Sequence, residues 1–209
     1  FKTTNGGASW SAVNSGLPAV DVRTVVIDPG NPATLYAGTA RGVYKSTNGG
    51  ASWGSVNSGL AATSVSAMAI DSGSPATLYA GTSVSGVFKS TNGGASWSEV
   101  NSGLTVPTVL SLAIDPSNPA TLYAGTYFDS HYSGTIFKST NGGASWCKIN
   151  SGREVFAGLS AATPVNSIAI DPSDPATVYV GTFGGEVVFK STNGGASWSG
   201  INSGLFTNN

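Results

Sequence analysis

The 209-residue sequence contains one cysteine and one histidine. Cys147 alone cannot form an intrachain disulfide, and together with His131 it cannot supply the several Cys and His ligands of a typical zinc site. The paired glycines lie in predicted hairpin turns rather than between a strand and a helix, so they do not form a phosphate-binding loop. We therefore expect no metal and no cofactor, and an inert Cys147.

Charge and long apolar runs are also scarce. Charged residues make up 9% of the chain and the formal net charge is -1, so the basic patch of a nucleic-acid-binding protein is missing. No run approaches the ~18 to 20 apolar residues that a membrane-spanning helix needs. We expect a protein that binds no nucleic acid and does not insert into membranes.

A nine-residue segment dominates what the sequence does contain. KSTNGGASW occurs at 45–53, 89–97, 138–146 and 190–198, and KTTNGGASW occurs at 2–10. Five catalytic sites in one small chain would be unusual, whereas five copies of a structural turn would not. The tryptophans that end the segments are 43, 44, 49 and 52 residues apart, which is close to the ~40 to 50 residues of a four-stranded propeller blade.

Each full repeat divides into four short strands separated by Gly, Pro, Asn and Asp. The pattern predicts an all-β protein, a β-propeller of four-stranded antiparallel blades with four complete repeats and an N-terminal half blade. The first strand of each repeat is apolar at nearly every position, so we expect it to be covered on both faces. These first strands are Val22–Ile27, Val65–Ile70, Val109–Ile114 and Val165–Ile170, the half blade is 1–17, and the full blades are 22–60, 65–104, 109–152 and 165–205.

The two kinds of repeated turn have predictable chemistry. The turns between the first and second strands, which we call the DPxxP turns, read DPGNPAT, DPSNPAT and DPSDPAT in three repeats and DSGSPAT in the repeat that contains Asp71. The leading aspartate (28, 71, 115, 171) is expected to accept bonds from backbone amides. In the TNGG turns, glycine adopts positive φ cheaply and hydroxyls satisfy turn amides. We expect the fourth strand to run through ASWxxVNSG, each tryptophan to pack into its blade, and the lysine before each turn to face solvent.

The segment STNGGASW resembles the Asp-box, or bacterial neuraminidase repeat, whose pattern is Ser/Thr-x-Asp-x-Gly-x-Thr-Trp between the third and fourth strands of a blade. Asparagine replaces the usual aspartate and serine the usual threonine in every copy. The resemblance implies a propeller fold like those of sialidases, xyloglucanases, sortilin-type receptors and photosystem-assembly factors, with the box away from the catalytic face. The box residues are Asn5, Trp10, Asn48, Trp53, Asn92, Trp97, Asn141, Trp146, Asn193 and Trp198.

The loops on the two edges of the predicted blades differ. Turns between first and second strands and between third and fourth strands are nearly invariant, whereas the other loops vary in length and charge. Binding groups commonly sit on variable loops of a rigid scaffold, so we predict a binding site on the variable edge. Its candidate residues are Arg41, Tyr127, Asp129, His131, Tyr132, Arg153, Glu154 and Glu186.

Three functions fit this pattern. The first is a non-enzymatic extracellular or cell-surface module that binds a polysaccharide or a protein through the variable loops. The second is a fragment of a glycoside hydrolase, with its acid and base drawn from Asp129, Glu154 and Glu186, because glycosidases use two carboxyl groups ~5 to 9.5 Å apart. The third is an assembly factor that binds a protein partner.

The strand count leaves the predicted ring unclosed. Five pairs of third and fourth strands are present, but only four pairs of first and second strands. The chain is a piece of a longer propeller, or copies of it associate to complete the ring, or the N-terminal hairpin joins the last blade. We favour a piece of a longer secreted propeller, and near-identical repeats make exchange of blades between chains plausible.

Overall fold

The computed structural model describes residues 1–61, 64–128, 133–149, 164–183 and 188–205. Within them the chain forms sixteen strands and no helix, arranged as four antiparallel sheets of four strands. The predicted all-β propeller of four-stranded blades is confirmed. The chain has no helix long and apolar enough to cross a membrane in these ranges.

Each sheet is one blade, with its strands in sequence order from the inner to the outer edge. Inner strands of successive blades pack on one another, β1 on β5, β5 on β9 and β9 on β13. The strands are β1 (Val22–Ile27), β2 (Leu35–Thr39), β3 (Gly42–Ser46) and β4 (Gly54–Ser55) in blade 1; β5 (Val65–Ile70), β6 (Leu78–Thr82), β7 (Val87–Ser90) and β8 (Ser98–Glu99) in blade 2; β9 (Val109–Ile114), β10 (Leu122–Phe128), β11 (Ser133–Ser139) and β12 (Cys147–Lys148) in blade 3; and β13 (Val165–Ile170), β14 (Val178–Thr182), β15 (Val188–Ser191) and β16 (Ser199–Gly200) in blade 4.

The outer strands are shorter than predicted, with two residues each. In blade 2, Val100 donates its amide to Val87 at 3.0 Å. The side-chain oxygen of Asn101 then accepts the Val87 amide at 2.7 Å. A side chain thus replaces the backbone carbonyl at this point and ends the regular ladder. The asparagine of the repeated VNSG sequence is therefore a strand terminator.

The N-terminal hairpin, residues 1–17, is held by one backbone bridge between Lys2 and Ser11. It supplies no partner for the face of β1 that turns away from blade 2. Val25 and Ile27 on β1 are each 51% exposed, although the equivalent Met68 of blade 2 is buried among residues of blade 1. The prediction that every first strand is covered on both faces is therefore wrong for β1, because no described strand packs on this face. It is also wrong for β13, where Ser167 and Ala169 are exposed.

The TNGG turn is a side-chain network. In blade 2 the Ser90 hydroxyl donates to Asn92 Oδ1 at 2.9 Å and accepts the Gly94 amide at 2.9 Å. Asn92 Oδ1 also accepts the Ser96 amide at 2.9 Å, and its Nδ2 donates to Ser96 Oγ at 2.8 Å. Both glycines have positive φ, 66° for Gly93 and 85° for Gly94. The prediction of hydroxyl-capped turns with left-handed glycines is confirmed.

The DPxxP turns also behave as predicted. In blade 1, Asp28 Oδ1 accepts the amides of Gly30 and Asn31 at 2.9 and 3.1 Å. In each full blade this turn is bonded to the TNGG turn, as when the Gly93 amide donates to Ala76 at 2.9 Å. The two invariant turns of a blade therefore lie on one edge.

In blades 2, 3 and 4 the tryptophan packs against the preceding blade rather than only within its own. Trp97 is buried in a cluster with Tyr36 and Val43 of blade 1, and its indole donates to the Val56 carbonyl at 2.8 Å. Trp146 repeats this contact with Val100 at 2.7 Å. Trp10 has no preceding blade and is 60% exposed, so the prediction of a packed ring is wrong for Trp10.

The prediction that the repeated lysines face solvent is wrong for Lys45, Lys89 and Lys138, each of which donates to a carbonyl of the next blade. Lys89 donates to the Gly142 carbonyl of the next blade at 3.0 Å, as does the Tyr79 hydroxyl at 3.0 Å. The ammonium also lies 5.3 Å from the centre of the Tyr79 ring, within range of a cation–π interaction. We call this the Lys–Tyr–Gly contact. It recurs between blades 1 and 2 (Lys45, Tyr36, Gly93) and between blades 3 and 4 (Lys138, Tyr123, Gly194).

This contact makes a prediction at high pH. Burial, with a smaller contribution from the negative charge of Asp115, raises the pKa of Tyr123 from 10.0 to about 12. The folded state holds the Tyr123 proton more tightly than the unfolded state does. The contribution of this tyrosine to the free energy of unfolding is therefore complete below pH 10 and is lost as pH rises from 10 to about 12. The free energy of unfolding of the Tyr123→Phe variant, measured with denaturant, is expected to fall less steeply across this window than that of the wild type. If the free energy of unfolding of Tyr123→Phe falls as steeply with pH as that of the wild type, the assignment to Tyr123 is wrong.

Candidate functional site

The variable face is the edge of the propeller that carries the loop between the second and third strands of each blade and the segment before its first strand. One backbone hydrogen bond joins these two loops in every full blade. Ser83 donates to Ser64 at 3.1 Å in blade 2, and Tyr127 donates to Thr108 at 3.0 Å in blade 3. The two variable loops of a blade therefore lie side by side, opposite the invariant turns.

Equivalent positions on this face carry very different side chains. The residue after the Gly-Thr pair of each second strand, which we call the GT-x position, is Ala40, Ser83, Tyr127 and Phe183 in blades 1 to 4. Phe183 is 73% exposed, and Tyr127 is half-buried on the neighbouring blade. Two aromatic side chains thus lie at matching positions of adjacent blades. Because Phe183 is mostly exposed, packing into the core does not explain why a phenylalanine occurs there.

A polar group lies at the same edge between blades 1 and 2. Arg23 Nη1 donates to Ser64 Oγ at 2.7 Å and to Ser83 Oγ at 3.3 Å. The Ser83 hydroxyl also lies 3.0 Å from that of Ser64 and 2.9 Å from that of Ser66. These contacts fix one nitrogen of an exposed guanidinium next to three hydroxyls, an arrangement that presents both donors and acceptors to a polar ligand.

The loops of blades 2 and 3 are tied together as well. Gly86 donates its amide to Pro107 at 2.8 Å, and the Thr108 hydroxyl donates to the Ser83 carbonyl at 2.9 Å. Groups held by such bonds keep their relative positions when a ligand arrives, which lowers the entropic cost of binding.

The structure describes two of the eight candidate residues predicted from sequence. Arg41 lies in the turn between β2 and β3, with its amide donating to Thr39 Oγ1 at 3.0 Å, and its side chain is exposed. Tyr127 occupies the GT-x position of blade 3. The other six, Asp129, His131, Tyr132, Arg153, Glu154 and Glu186, lie outside the described residues.

Two hollows accompany these groups. A shallow one of about 270 Å³ lies on blade 2 beside Ser85, Glu99 and Pro107. A larger apolar groove of about 520 Å³ lies between the N-terminal hairpin and blade 1, lined by Val13, Leu17, Val25, Ile27 and Trp53 among others. Its position is that of the first and second strands absent from the half blade.

Carboxylates, histidine and cysteine do not form a metal-binding cluster of three or more within the described ranges. Cys147 is exposed on β12.

The sequence interpretation missed Phe183, Ser64, Ser66 and Ser83 as candidate site residues. A signal for two of them was available, because aligning the second strands by their Gly-Thr pair shows that the following residue changes in each repeat. The Arg23 contacts had no such signal, since they join residues 41 and 60 positions apart.

A sequence profile of the DUF6242 beta propeller domain matches residues 1–207. The chain belongs to this family. A search of curated proteins finds no match. Among solved structures, the DUF6242 propeller is similar to an ancestral GH74 enzyme, with 31% identity and a TM-score of 0.71 over 92% of this chain. It spans only 25% of the length of that enzyme.

Two further structures share the fold of the DUF6242 propeller. The extracellular domain of BT4673 from B. thetaiotaomicron is 17% identical with a TM-score of 0.62, over 87% of this chain and 22% of that one. YCF48 bound to D1 peptide is 20% identical with a TM-score of 0.61, over 95% of this chain and 59% of that one. At these identities the likeness concerns the fold alone.

Proposed function

We propose that the chain is a binding module that takes a neutral polysaccharide along its variable face, without cleaving it. The observation that carries the proposal is the exposed Phe183, with Tyr127 at the matching position of the adjacent blade. Aromatic rings offer flat apolar surfaces with little conformational entropy to lose. The C–H face of a sugar ring is a suitable partner for such a surface.

The polar group of the variable face suits the same ligand. Sugar hydroxyls both donate and accept hydrogen bonds, and Arg23 with Ser64 and Ser83 supplies donors and acceptors within one cluster. A net charge of -1 provides no strong field to attract a polyanion or a polycation. The proposal therefore names an uncharged glycan.

Similarity to a GH74 enzyme supports a carbohydrate ligand, since part of that enzyme resembles this chain at 31% identity. We also propose that the repeats are of the Asp-box type and that the 209 residues form one propeller domain within a longer propeller. An extracellular or cell-surface location agrees with this proposal, because a glycan-binding module meets its ligand there.

Two alternatives use the same fold. A glycoside hydrolase fragment would draw its acid and base from Asp129, Glu154 and Glu186, which lie outside the described residues. An assembly factor would bind a protein partner, as YCF48 binds the D1 peptide in its complex. Neither alternative accounts for an exposed phenylalanine on blade 4 as directly as a glycan does.

The proposal is tested by affinity electrophoresis and calorimetry with xyloglucan, mixed-linkage β-glucan, xylan and mannan. We expect retention by at least one polysaccharide and a loss of about tenfold in affinity, or about 1.4 kcal/mol, in the Phe183→Ala variant. Phe1→Ala is the matched control, because Phe1 is 80% exposed on the N-terminal hairpin and away from the variable face. Arg23→Ala is expected to weaken binding as well, with folding checked by circular dichroism.

The same mixtures are assayed for new reducing ends. Release of oligosaccharides that disappears in Glu154→Gln or Glu186→Gln would support the hydrolase alternative instead. Failure of the wild type to bind any of the four polysaccharides, or equal binding by the Phe183→Ala and Phe1→Ala variants, would overturn the proposed function.

A further inference from the structure

The TNGG turn of each full blade contains an asparagine followed by glycine. These pairs lie at 48–49, 92–93, 141–142 and 193–194. Asparagine before glycine is the dipeptide most prone to spontaneous deamidation in water, because glycine has no Cβ to shield its backbone nitrogen from the asparagine side chain. All four asparagines are exposed, so burial does not keep water away from them.

The reaction begins at the nitrogen of the glycine. In blade 3, the Gly142 nitrogen would lose its proton and attack Cγ of Asn141. A bond forms between these two atoms, the bond from Cγ to Nδ2 breaks, and Nδ2 leaves with the displaced proton as ammonia. Water then opens the resulting five-membered succinimide at one of its two carbonyl carbons, which gives aspartate or isoaspartate. The overall change consumes one water and releases one ammonia.

The fold occupies this nitrogen in every full blade. The Gly142 amide donates to the Ala120 carbonyl at 2.8 Å. Ala120 belongs to the DPxxP turn, where Asp115 Oδ1 accepts the amides of Ser117 and Asn118 at 2.9 and 3.1 Å. A nitrogen that has lost its proton cannot donate to the carbonyl, so this bond opposes the first step of the reaction. The same bond joins Gly49 to Ala33, Gly93 to Ala76 and Gly194 to Ala176, at 2.8 to 2.9 Å.

The fold also fixes the side chain that would be attacked. Asn141 Oδ1 accepts from the Ser139 hydroxyl and from the Ser145 amide, both at 2.9 Å, and Nδ2 donates to Ser145 Oγ at 2.8 Å. Because these partners are residues other than Gly142, closing the ring onto the Gly142 nitrogen moves the side chain away from them. The same three bonds hold Asn48, Asn92 and Asn193.

We infer that the four Asn–Gly pairs are latent deamidation sites, which the DPxxP turn of the same blade keeps unreactive. The DPxxP turn controls the reaction because its alanine carbonyl holds the glycine amide that must attack. Local opening of this turn frees the glycine nitrogen of its own blade, whereas the other blades keep their bonds. Deamidation therefore records which blade has opened.

The two products differ in how they fit the turn. The Ser145 hydroxyl accepts from Asn141 Nδ2, and it can donate to the corresponding oxygen of an aspartate, because a hydroxyl both donates and accepts. Isoaspartate adds a carbon to the backbone of a turn whose glycines, Gly142 and Gly143, have φ of 68° and 86°. A turn that forms aspartate can close again, whereas one that forms isoaspartate loses its hydrogen-bond pattern.

The test follows each asparagine by peptide mass spectrometry during incubation of the 209-residue chain in mildly alkaline buffer. All four asparagines of the folded wild type are expected to react at least about a hundredfold more slowly than in the same chain in urea, since several bonds must open together. In Asp115→Ala, which weakens the DPxxP turn of blade 3, Asn141 should react at least about tenfold faster than in the wild type. Asn92 of the same molecules is the internal control and should keep its wild-type rate.

Asp115→Asn is the matched variant, because its side-chain oxygen still accepts the turn amides, and Asn141 should react in it as in the wild type. Circular dichroism checks that each variant is folded. If Asp115→Ala is unfolded, Asp28→Ala gives the same test on Asn48, since Asp28 is only half-buried. Equal rates in the folded and the denatured wild type would overturn the inference. So would a folded Asp115→Ala variant in which Asn141 reacts no faster than Asn92.

Discussion

Replacement of Trp146 by alanine is expected to lower the free energy of unfolding by about 3 to 5 kcal/mol, the usual cost of removing a large aromatic side chain from a core. The ring is 3% exposed and packs with Tyr79 and Val87 of the preceding blade. The change leaves a cavity between blades 2 and 3 and removes the donor that bonds to the Val100 carbonyl. Urea denaturation followed by circular dichroism measures the effect.

The chain contains its own control for this experiment. Trp10 ends an almost identical segment but is 60% exposed, so Trp10→Ala should change the free energy of unfolding by no more than about 0.5 kcal/mol. Equal losses in the two variants would mean that the tryptophan stabilises its own turn and that packing between blades contributes little.

Replacement of Gly59 by alanine is expected to cost about 3 kcal/mol or more, through backbone strain together with a steric clash. Its φ of 79° is unfavourable for a residue with a Cβ, and that Cβ would meet the carbonyl oxygen of Trp97. The backbone of the next blade cannot move away without breaking the bond from the Trp97 amide to Ser58. Thermal and urea unfolding should both show the loss.

A Gly204→Ala variant separates the cost of backbone strain from the cost of the steric clash. Its φ of 81° is nearly the same, but no described atom lies within 4 Å of the point that a Cβ would occupy. Gly204→Ala in dilute solution should therefore show only the conformational cost, about 1 to 2 kcal/mol. The difference between the two variants measures the close approach of the blades. If both variants lose the same amount, backbone strain explains the glycine and the clash is irrelevant.

The repeats allowed much of the fold to be predicted. Apolar runs bounded by Pro, Gly and Asn located β1, β5, β9 and β13 at their observed bounds, because strand patterning and turn chemistry act over a few residues. Contacts between blades were not predictable in this way. The lysine before each TNGG turn was expected in solvent, yet Lys89 bonds to a carbonyl 53 positions away.

The candidate site was predicted less well than the fold. Loop variability correctly separated two kinds of loop, and the backbone bond from Tyr127 to Thr108 places two variable loops together. The predicted site was centred on polar and charged loop residues such as Asp129, His131 and Glu154, and it did not include Phe183. Its exposure of 73% depends on the position of its blade, which no local pattern encodes.

The two invariant turns of blade 4 differ in their response to acid. The TNGG turns are bonded through the amide of asparagine, which accepts a hydrogen bond without carrying a proton that can be gained or lost. The DPxxP turns rely on carboxylates, and the hydroxyl and amide of Ser173 hold the pKa of Asp171 below its ordinary value. The bonds to Asp171 are therefore lost only as pH falls through that lowered pKa, while those to Asn193 persist. Acidification thus weakens one turn of blade 4 and leaves its neighbour on the same edge intact.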